Sequence, residues 1–207
     1  MIYVFGITMK RADRRQWAAA SDLRALGELT ARWLEGTLAS QPGYAPGYGP
    51  DDETRELIPT LAAANRAGYL TDCSQPGIPA GPGYDGAIWA QRAAVSGWLD
   101  VDRLPELAAQ ATTAGLLVVS HTPKNSRFNR NGGDEWVVVT TRDGEARTGF
   151  GGRLSSRDVA SRFDVCSRKA IDAVRAAGQL SIVDPAWGRN DVLWPLLERW
   201  IQLQPRS

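Results

Sequence analysis

The segment that most constrains the fold is residues 52–76, which read DETRELIPTLAAANRAGYLTDCSQP. Leu57, Leu61 and Ala64 share one face of a predicted helix, and Gly68 ends that helix. The residues that follow leave the glycine as a short strand. A helix, a turn and a strand in this order form a hairpin, so the far end of the strand can return toward the start of the helix.

Polar side chains lie at both ends of this hairpin. Glu53 and Thr54 open the helix, and Thr71 and Ser74 lie on the strand, so one carboxylate and three hydroxyls can converge. Such a cluster suits a small polar ligand that carries an ammonium, a ribose diol or a carboxylate. It contains no nucleophile–base pair and no metal-ligand spacing, so it indicates binding more than catalysis. Asp72 is predicted to be solvated.

Each of these residues also has a purely structural interpretation. Glu53 can be an acid favoured by the dipole at a helix N-terminus. Thr71 can be an ordinary strand threonine, and Ser74 can cap a turn. His121, the one histidine of the chain, is predicted to be structural and cannot build a conventional metal site alone. Asp184, in a Val-Asp-Pro sequence, is predicted to organise a turn.

Composition limits the class of protein. With 43% hydrophobic and 23% charged residues, the 207-residue chain is predicted to be one globular domain with an N-terminal extension over 1–20. A net charge of +1 gives no electrostatic case for binding nucleic acid or an anionic membrane. Two distant cysteines, Cys73 and Cys166, fit a reducing compartment. The apolar N-terminus is too short to span a bilayer and precedes its basic residues, so we expect a cytoplasmic protein.

Helical and strand patterns mix along the chain without a regular β-α-β rhythm, which predicts an α+β fold with mixed sheets and surrounding helices. Pro59 predicts a late start or a kink in the second helix. Residues 88–99 favour neither helix nor strand. The predicted helices are 21–38, 54–67, 104–113, 157–163, 168–177 and 191–203; the predicted strands are 2–7, 70–74, 116–120, 136–141, 146–150 and 180–183; the predicted loops are 41–50, 75–84 and 124–134.

Two stretches resemble a known family. Glu53-Thr54, then Asn65-Arg-Ala-Gly68, then Leu70-Thr71-Asp-Cys-Ser74-Gln75-Pro76 match, without a gap, a pattern of the C-terminal regulatory domain of eukaryotic methylenetetrahydrofolate reductase. Residues 180–203, LSIVDPAWGRNDVLWPLLERWIQL, are similar to the closing strand and tryptophan-bearing helix of that domain. The resemblance covers roughly residues 26–203 and is weak over 122–165. No stretch of the 207 residues resembles the catalytic barrel of the reductase or the linker that joins it to this domain, so a sensor without its enzyme is expected.

The regulatory domain binds S-adenosylmethionine, so the resemblance implies that ligand or S-adenosylhomocysteine, and no metal. It maps Glu53, Thr54, Thr71 and Ser74 onto ligand-binding positions. Two further hydroxyls are expected from the hairpin region, with Thr140 or Thr141 and Ser155 or Ser156 as candidates; Thr140 and Ser155 are taken forward. Since the family domain pairs with itself, a homodimer is expected.

The function implied by the resemblance is a non-catalytic module that senses or sequesters the ligand and acts on a protein partner in trans. Two alternatives remain open. The chain can be an enzyme acting on an adenosyl–sulfur ligand, with Glu53 or Asp184 as the acid–base group. It can also be a protein-interaction module that kept the fold and lost the ligand.

Overall fold

The computed structural model of the protein describes residues 8–123 and 136–204. The strand predicted at 2–7 and the polar loop predicted at 124–134 lie outside the described residues. The helices are α1 Arg11–Ala19, α2 Leu23–Leu34, α3 Ile58–Arg66, α4 Leu104–Thr113, α5 Ser156–Arg162, α6 Arg168–Ala176 and α7 Leu193–Gln202. The strands are β1 Leu70–Gln75, β2 Ile78–Pro82, β3 Ile88–Leu99, β4 Leu117–His121, β5 Val137–Arg142, β6 Glu145–Phe150 and β7 Gly178–Trp187.

The long strand β3 organises the sheet. Its first half pairs with β2 and β5, and its second half pairs with β1 and β7. β4 adds outside β7, and β6 adds outside β5. The α+β class predicted from the sequence is confirmed. Every strand pair described is antiparallel, where the sequence predicted mixed sheets. Parallel pairs need crossover connections, and none of the strand pairs described is joined in that way.

One large hydrophobic core lies between the sheet and the helices. Trp17, Tyr69 and Trp200 are among its largest fully buried side chains, and Leu61 is buried as predicted. The Tyr69 hydroxyl donates a 2.9 Å hydrogen bond to the Leu180 carbonyl, which ties the start of β1 to β7. Burial raises the pKa of this hydroxyl well above its usual value, and the Asp72 charge adds to the effect.

Local sequence explains most element boundaries. A 3₁₀ turn, Asp52–Leu57, precedes α3, and Pro59 lies in the first helical turn, where its missing N–H costs nothing. The late start predicted for this helix is therefore confirmed. Gly68, with φ of 97°, follows the helix and allows the left-handed turn into β1.

Five predictions differ clearly from the structure, and one of them is β7, which was predicted at 180–183 and runs over Gly178–Trp187. The N-terminal extension contains α1, whose buried Trp17 donates to the Ser40 carbonyl at 2.9 Å, so this segment joins the core. α2 ends at Leu34, earlier than predicted. The Gly- and Pro-rich stretch 75–84 contains the exposed strand β2, which β3 supports by pairing. The undecided residues 88–99 form β3. Among the described residues, no helix is long and apolar enough to cross a membrane.

An exposed ion-pair network joins α3 to α2 and predicts a pH-dependent stability. Arg66 contacts Glu28 at 2.9 Å and Glu35 at 2.5 Å. The hydrogen bond from Arg66 lowers the pKa of Glu35 below its usual 4.5. Since the folded state favours the Glu35 carboxylate, the stabilisation is fully present above the usual pKa of 4.5. It is lost as the pH falls through the lowered pKa of the folded state.

We therefore expect Arg66→Gln to lower the free energy of unfolding near neutral pH by about 0.5 kcal/mol, within the range of exposed ion pairs. The difference from the parent protein should shrink as the pH falls below 4.5. Urea unfolding of both proteins at neutral pH and below pH 4.5 measures the two differences in the free energy of unfolding. A difference that does not change with pH would contradict the ion-pair explanation.

Candidate functional site

A partly open cavity of about 220 Å³ lies beside the start of β1. One wall is α2, which contributes Trp33 and Leu34. The loop after α2 and the 3₁₀ turn form the second wall, and the strand β1 forms the third. Arg162, at the end of α5, closes the cavity from the side of that helix. The cavity is therefore assembled from segments that are distant in sequence.

Hydroxyl groups from three elements line this cavity. Thr54 comes from the 3₁₀ turn, Thr71 and Ser74 come from β1, and Thr30 comes from α2. Thr30, Thr54 and Thr71 are buried. The Thr30 hydroxyl has no hydrogen-bond partner within residues 8–123 and 136–204, so a buried polar group at the cavity wall is left unsatisfied. Such groups are rare in folded proteins and indicate an interaction partner that is missing.

Asn65 holds Thr71 in place. The Asn65 amide nitrogen donates to the Thr71 hydroxyl at 2.6 Å and to the Leu61 carbonyl at 2.9 Å. The Asn65 oxygen accepts the Thr71 backbone N–H at 3.0 Å. Because the Thr71 oxygen accepts one of these bonds, its own proton can be donated to a ligand.

Two aromatic rings, from α2 and from the loop that follows it, line the cavity. Trp33 and Tyr44 pack edge to face, with ring centroids 5.3 Å apart. The Trp33 indole donates to the Tyr48 carbonyl at 3.1 Å, and the Tyr44 hydroxyl donates to Asp51 at 2.9 Å. Desolvation and the bond to Asp51 raise the pKa of Tyr44 to about 12, so this hydroxyl stays protonated at neutral pH. The pair therefore presents a rigid, uncharged aromatic surface.

A charged pair lies on the wall formed by β1 and α5. Asp72 forms an ion pair with Arg162, and its side chain is only 13% exposed. Burial raises the pKa of Asp72, although Arg162 acts against this shift. The sequence-based prediction that Asp72 is solvated is wrong, because its side chain is largely buried and is paired with Arg162 from the end of α5. The cavity thus offers one anionic and one cationic group side by side.

The chemistry of the other reactive groups favours binding over catalysis. Desolvation and the Asp72 charge raise the pKa of the Cys73 thiol to about 11, so the nucleophilic thiolate is scarce at neutral pH. The carboxylate of Asp184 is fully buried and is engaged by Arg189 at 2.8 Å and by the Ala186 backbone N–H at 2.8 Å. Asp184 was predicted to lie in a turn, but it lies within β7, where its carboxylate holds residues toward the end of that strand. No group of three or more potential metal ligands occurs in the described part of the chain.

The structure brings together three of the six predicted site residues, Thr54, Thr71 and Ser74. Glu53 does not line the cavity with them. It is exposed, and its carboxylate accepts a long 3.4 Å hydrogen bond from Gln91. The expectation that Glu53 shares a pocket with Thr71 and Ser74 does not match this geometry. Successive residues of a 3₁₀ turn point about 120° apart, so the burial of Thr54 directs Glu53 outward.

The two hydroxyls predicted from the hairpin region lie elsewhere. Thr140, on β5, is buried against Gln75 at 3.4 Å and does not line the cavity. Ser155 caps α5, where its side chain accepts from Asp158 and its backbone donates to the Asp158 carboxylate. Ser155 also lines a second cavity, which is described below. Neither residue faces the hydroxyls of β1 in this structure.

Sequence reasoning missed most side chains of the cavity, among them Thr30, Trp33, Tyr44, Asp51 and Arg162. Trp33 lies in the predicted helix 21–38 and Tyr44 in the predicted loop 41–50, and neither prediction gave the residue a role in a site. Arg162 follows Asp72 by 90 positions, so no local signal could pair them. The repeated tyrosine of QPGYAPGYGP, beside an acidic residue, was the one available clue.

The fold and the cavity define the chain as a member of the class of α+β domains with a small polar pocket at the edge of an antiparallel sheet. The protein belongs to the family described as "Domain of unknown function (DUF6919)", whose model matches residues 12–203. That match spans the sheet, all the helices from α2 onward and every cavity residue named above. A search of the curated proteins found no match.

Proposed function

We propose that this protein binds S-adenosylmethionine or S-adenosylhomocysteine in the cavity beside β1 and acts as a sensor or sequestering module. The observation that carries the proposal is the meeting of Thr54, Thr71 and Ser74 in one cavity. These residues were selected from the sequence, by their places in the predicted hairpin and by the family resemblance. Their convergence supports a shared ligand.

The chemistry of the walls supports the same ligand class. An adenosyl–sulfur compound carries an aromatic base, a ribose diol and an amino-acid end with an ammonium and a carboxylate. Trp33 and Tyr44 offer an aromatic surface for the base. Asp72 and Arg162 offer charges opposite to those of the amino-acid end, and charge-assisted hydrogen bonds are the stronger kind. The four hydroxyls can serve the diol.

Glu53 has a smaller part in this proposal than the resemblance implies. Its exposed position leaves Asp51 and Asp72 as the carboxylates nearest to the ligand. The module is proposed to act in the cytoplasm on a protein partner in trans.

Calorimetry with purified S-adenosylmethionine and S-adenosylhomocysteine tests the ligand. Ligand at about 100 times its dissociation constant should raise the free energy of unfolding by about 2.7 kcal/mol. Arg162→Gln and Ser74→Ala should weaken binding, the former by about tenfold or more because it removes a charge-assisted contact. Glu53→Ala should bind like the parent protein. Recovery of unchanged ligand after incubation would separate a binder from an enzyme.

Two results would count against this proposal. The first is the absence of both heat and a melting shift at millimolar ligand. The second is binding that survives Arg162→Gln and Ser74→Ala but is lost in Glu53→Ala, because that pattern would move the site to the Gln91 side of the 3₁₀ turn. In that case the cavity beside β1 would be a structural feature only.

A homodimer is also proposed. Several large apolar side chains are exposed on β2, at the start of β3, just before β5 and at the end of β7. They are Ile78, Ile88, Trp136 and Trp187. Burying such groups against a second copy would remove apolar surface from water. Sedimentation at micromolar concentration should give twice the 22.5 kDa of one chain, and a single species at 22.5 kDa would contradict the dimer.

A further inference from the structure

A second cavity, of about 470 Å³, lies on the other side of α5 from the first. It is bounded by the end of β4, the loop before α5, the helices α5 and α6, and the start of β7. None of the residues discussed in the first cavity lines it. The function proposed above therefore does not say what binds in this second cavity.

The polar wall of this cavity is cationic. Arg153 and Arg175 both line it, and no aspartate or glutamate is among its described lining residues. Arg153 donates to a backbone carbonyl, that of Thr122, at 3.2 Å, and this bond leaves its charge unneutralised. Arg175 is held by the Ser156 carbonyl at 3.0 Å and by Asp172 at 3.0 Å. Asp172 balances the charge of Arg175, so Arg153 gives the described lining its positive charge, and both guanidinium groups offer N–H donors to an anionic occupant.

His121 adds an unsatisfied group to the same wall. Its Nε2 lies 2.6 Å from the Gly151 carbonyl, and since a carbonyl only accepts, Nε2 carries the proton. The other ring nitrogen, Nδ1, is buried and has no hydrogen-bond partner within residues 8–123 and 136–204. His121 itself is 4% exposed. Because Nε2 carries the proton, Nδ1 can only accept a hydrogen bond, so a donor group on an occupant would satisfy it, whereas a carboxylate would not.

The floor of the cavity is apolar and well ordered by packing. Trp98, Val159 and Val174 line it and are buried in the main core. Trp98 also packs edge to face on Phe163, with ring centroids 5.5 Å apart. Gln179 braces the loop before α5, accepting from the Leu154 backbone at 3.0 Å and donating to the Gly152 carbonyl at 2.7 Å. An inorganic anion would leave this apolar floor uncovered, whereas an organic anion can cover it.

We propose that this second cavity is a binding site for a small organic carboxylate, whose anionic group is held by Arg153 and Arg175 and whose apolar body packs against Trp98, Val159 and Val174. The site is preformed, because its walls are secondary-structure elements joined by the hydrogen bonds described above. It is separate from the proposed S-adenosylmethionine site.

Benzoate is a suitable probe, with benzamide as a neutral compound of the same shape and inorganic phosphate as an anion without an apolar body. Titration followed by calorimetry or by ¹H–¹⁵N spectra should show benzoate binding with shifts at the start of β7, α5 and α6. Benzamide and phosphate should each bind at least about tenfold more weakly. Saturating S-adenosylmethionine should not displace benzoate.

Matched arginine variants locate the anion. Arg153→Gln should weaken benzoate binding by about tenfold or more, because a charge-assisted contact is lost. Arg168→Gln, an exposed residue on α6 that also faces Asp172 but does not line the cavity, should bind benzoate like the parent protein. Arg175→Gln should repeat the Arg153 result. If that variant fails to fold through loss of the Ser156 contact, Arg153→Gln decides alone.

Three outcomes would overturn this proposal. If benzamide binds as tightly as benzoate, the site does not require a negative charge. If phosphate binds as tightly as benzoate, the site does not require an apolar body. If Arg153→Gln leaves benzoate binding unchanged, benzoate does not bind in this cavity as proposed. None of these results depends on whether S-adenosylmethionine binds in the first cavity.

Discussion

Gly97→Ala is expected to destabilise the protein by about 3 kcal/mol, although glycine-to-alanine changes within strands usually stabilise. Gly97 lies on β3 between Thr71 of β1 and Leu180 of β7. A Cβ at this position would overlap the Leu70 carbonyl oxygen and lie 2.8 Å from the Thr71 Cα. Both obstacles are backbone atoms, so the strand β1 must move away. Urea unfolding monitored by tryptophan fluorescence measures the loss.

Gly49→Ala is the matched control. A Cβ built at Gly49 meets no atom within 4 Å, so its free energy of unfolding should change by less than about 0.5 kcal/mol. Because β1 carries Thr71 and Ser74, Gly97→Ala should also weaken ligand binding in whatever protein remains folded. Equal stability of the two variants would show that β1 and β3 do not approach as closely as described.

Asn65→Leu is expected to cost about 3–5 kcal/mol, because it leaves buried polar groups without partners, at about 1–3 kcal/mol each. The substitution keeps a similar shape but removes the hydrogen bonds to the Thr71 hydroxyl, the Thr71 backbone N–H and the Leu61 carbonyl. Asn65 is completely buried, so water cannot replace these partners. Denaturant unfolding gives the free energy, and calorimetry with S-adenosylmethionine gives the effect on the site.

Thr71→Val is the graded control for this change. It removes the hydroxyl bond but keeps the backbone bond to the Asn65 oxygen, so the expected cost is about 1 kcal/mol. Ligand binding should fall in both variants, since both alter the Thr71 hydroxyl. If Asn65→Leu were no less stable than Thr71→Val, the side chain of Asn65 would not be the link between α3 and β1.

Residues 52–76 show how far sequence can reach. The apolar spacing, Pro59 and Gly68 predicted the helix, its late start and the turn into β1, because each of these signals acts within a few residues. The resemblance singled out Asn65 as part of a pattern but gave it no role. Its role as the bond between α3 and Thr71 became visible only once the two elements were placed side by side.

Residues 88–99 show where local pattern fails. β3 exchanges its partners halfway along, from β2 and β5 to β1 and β7, so its two halves face different surroundings. A strand in two environments need not show one alternation of apolar and polar residues. The exposed strand β2 is similar, since its Gly- and Pro-rich sequence favours a turn and pairing with β3 overrides that preference.

The sequence by itself determined the α+β class, the helix–turn–strand unit and the convergence of Thr54, Thr71 and Ser74, because short-range spacing governs which side chains share a face. Only the tertiary structure decided that Glu53 points outward, that Arg162 pairs with Asp72, and that Arg153 and Arg175 share a second cavity. The physical reason is that ion pairs and cavity walls join residues far apart in the chain, and such contacts exist only after the sheet and helices have packed.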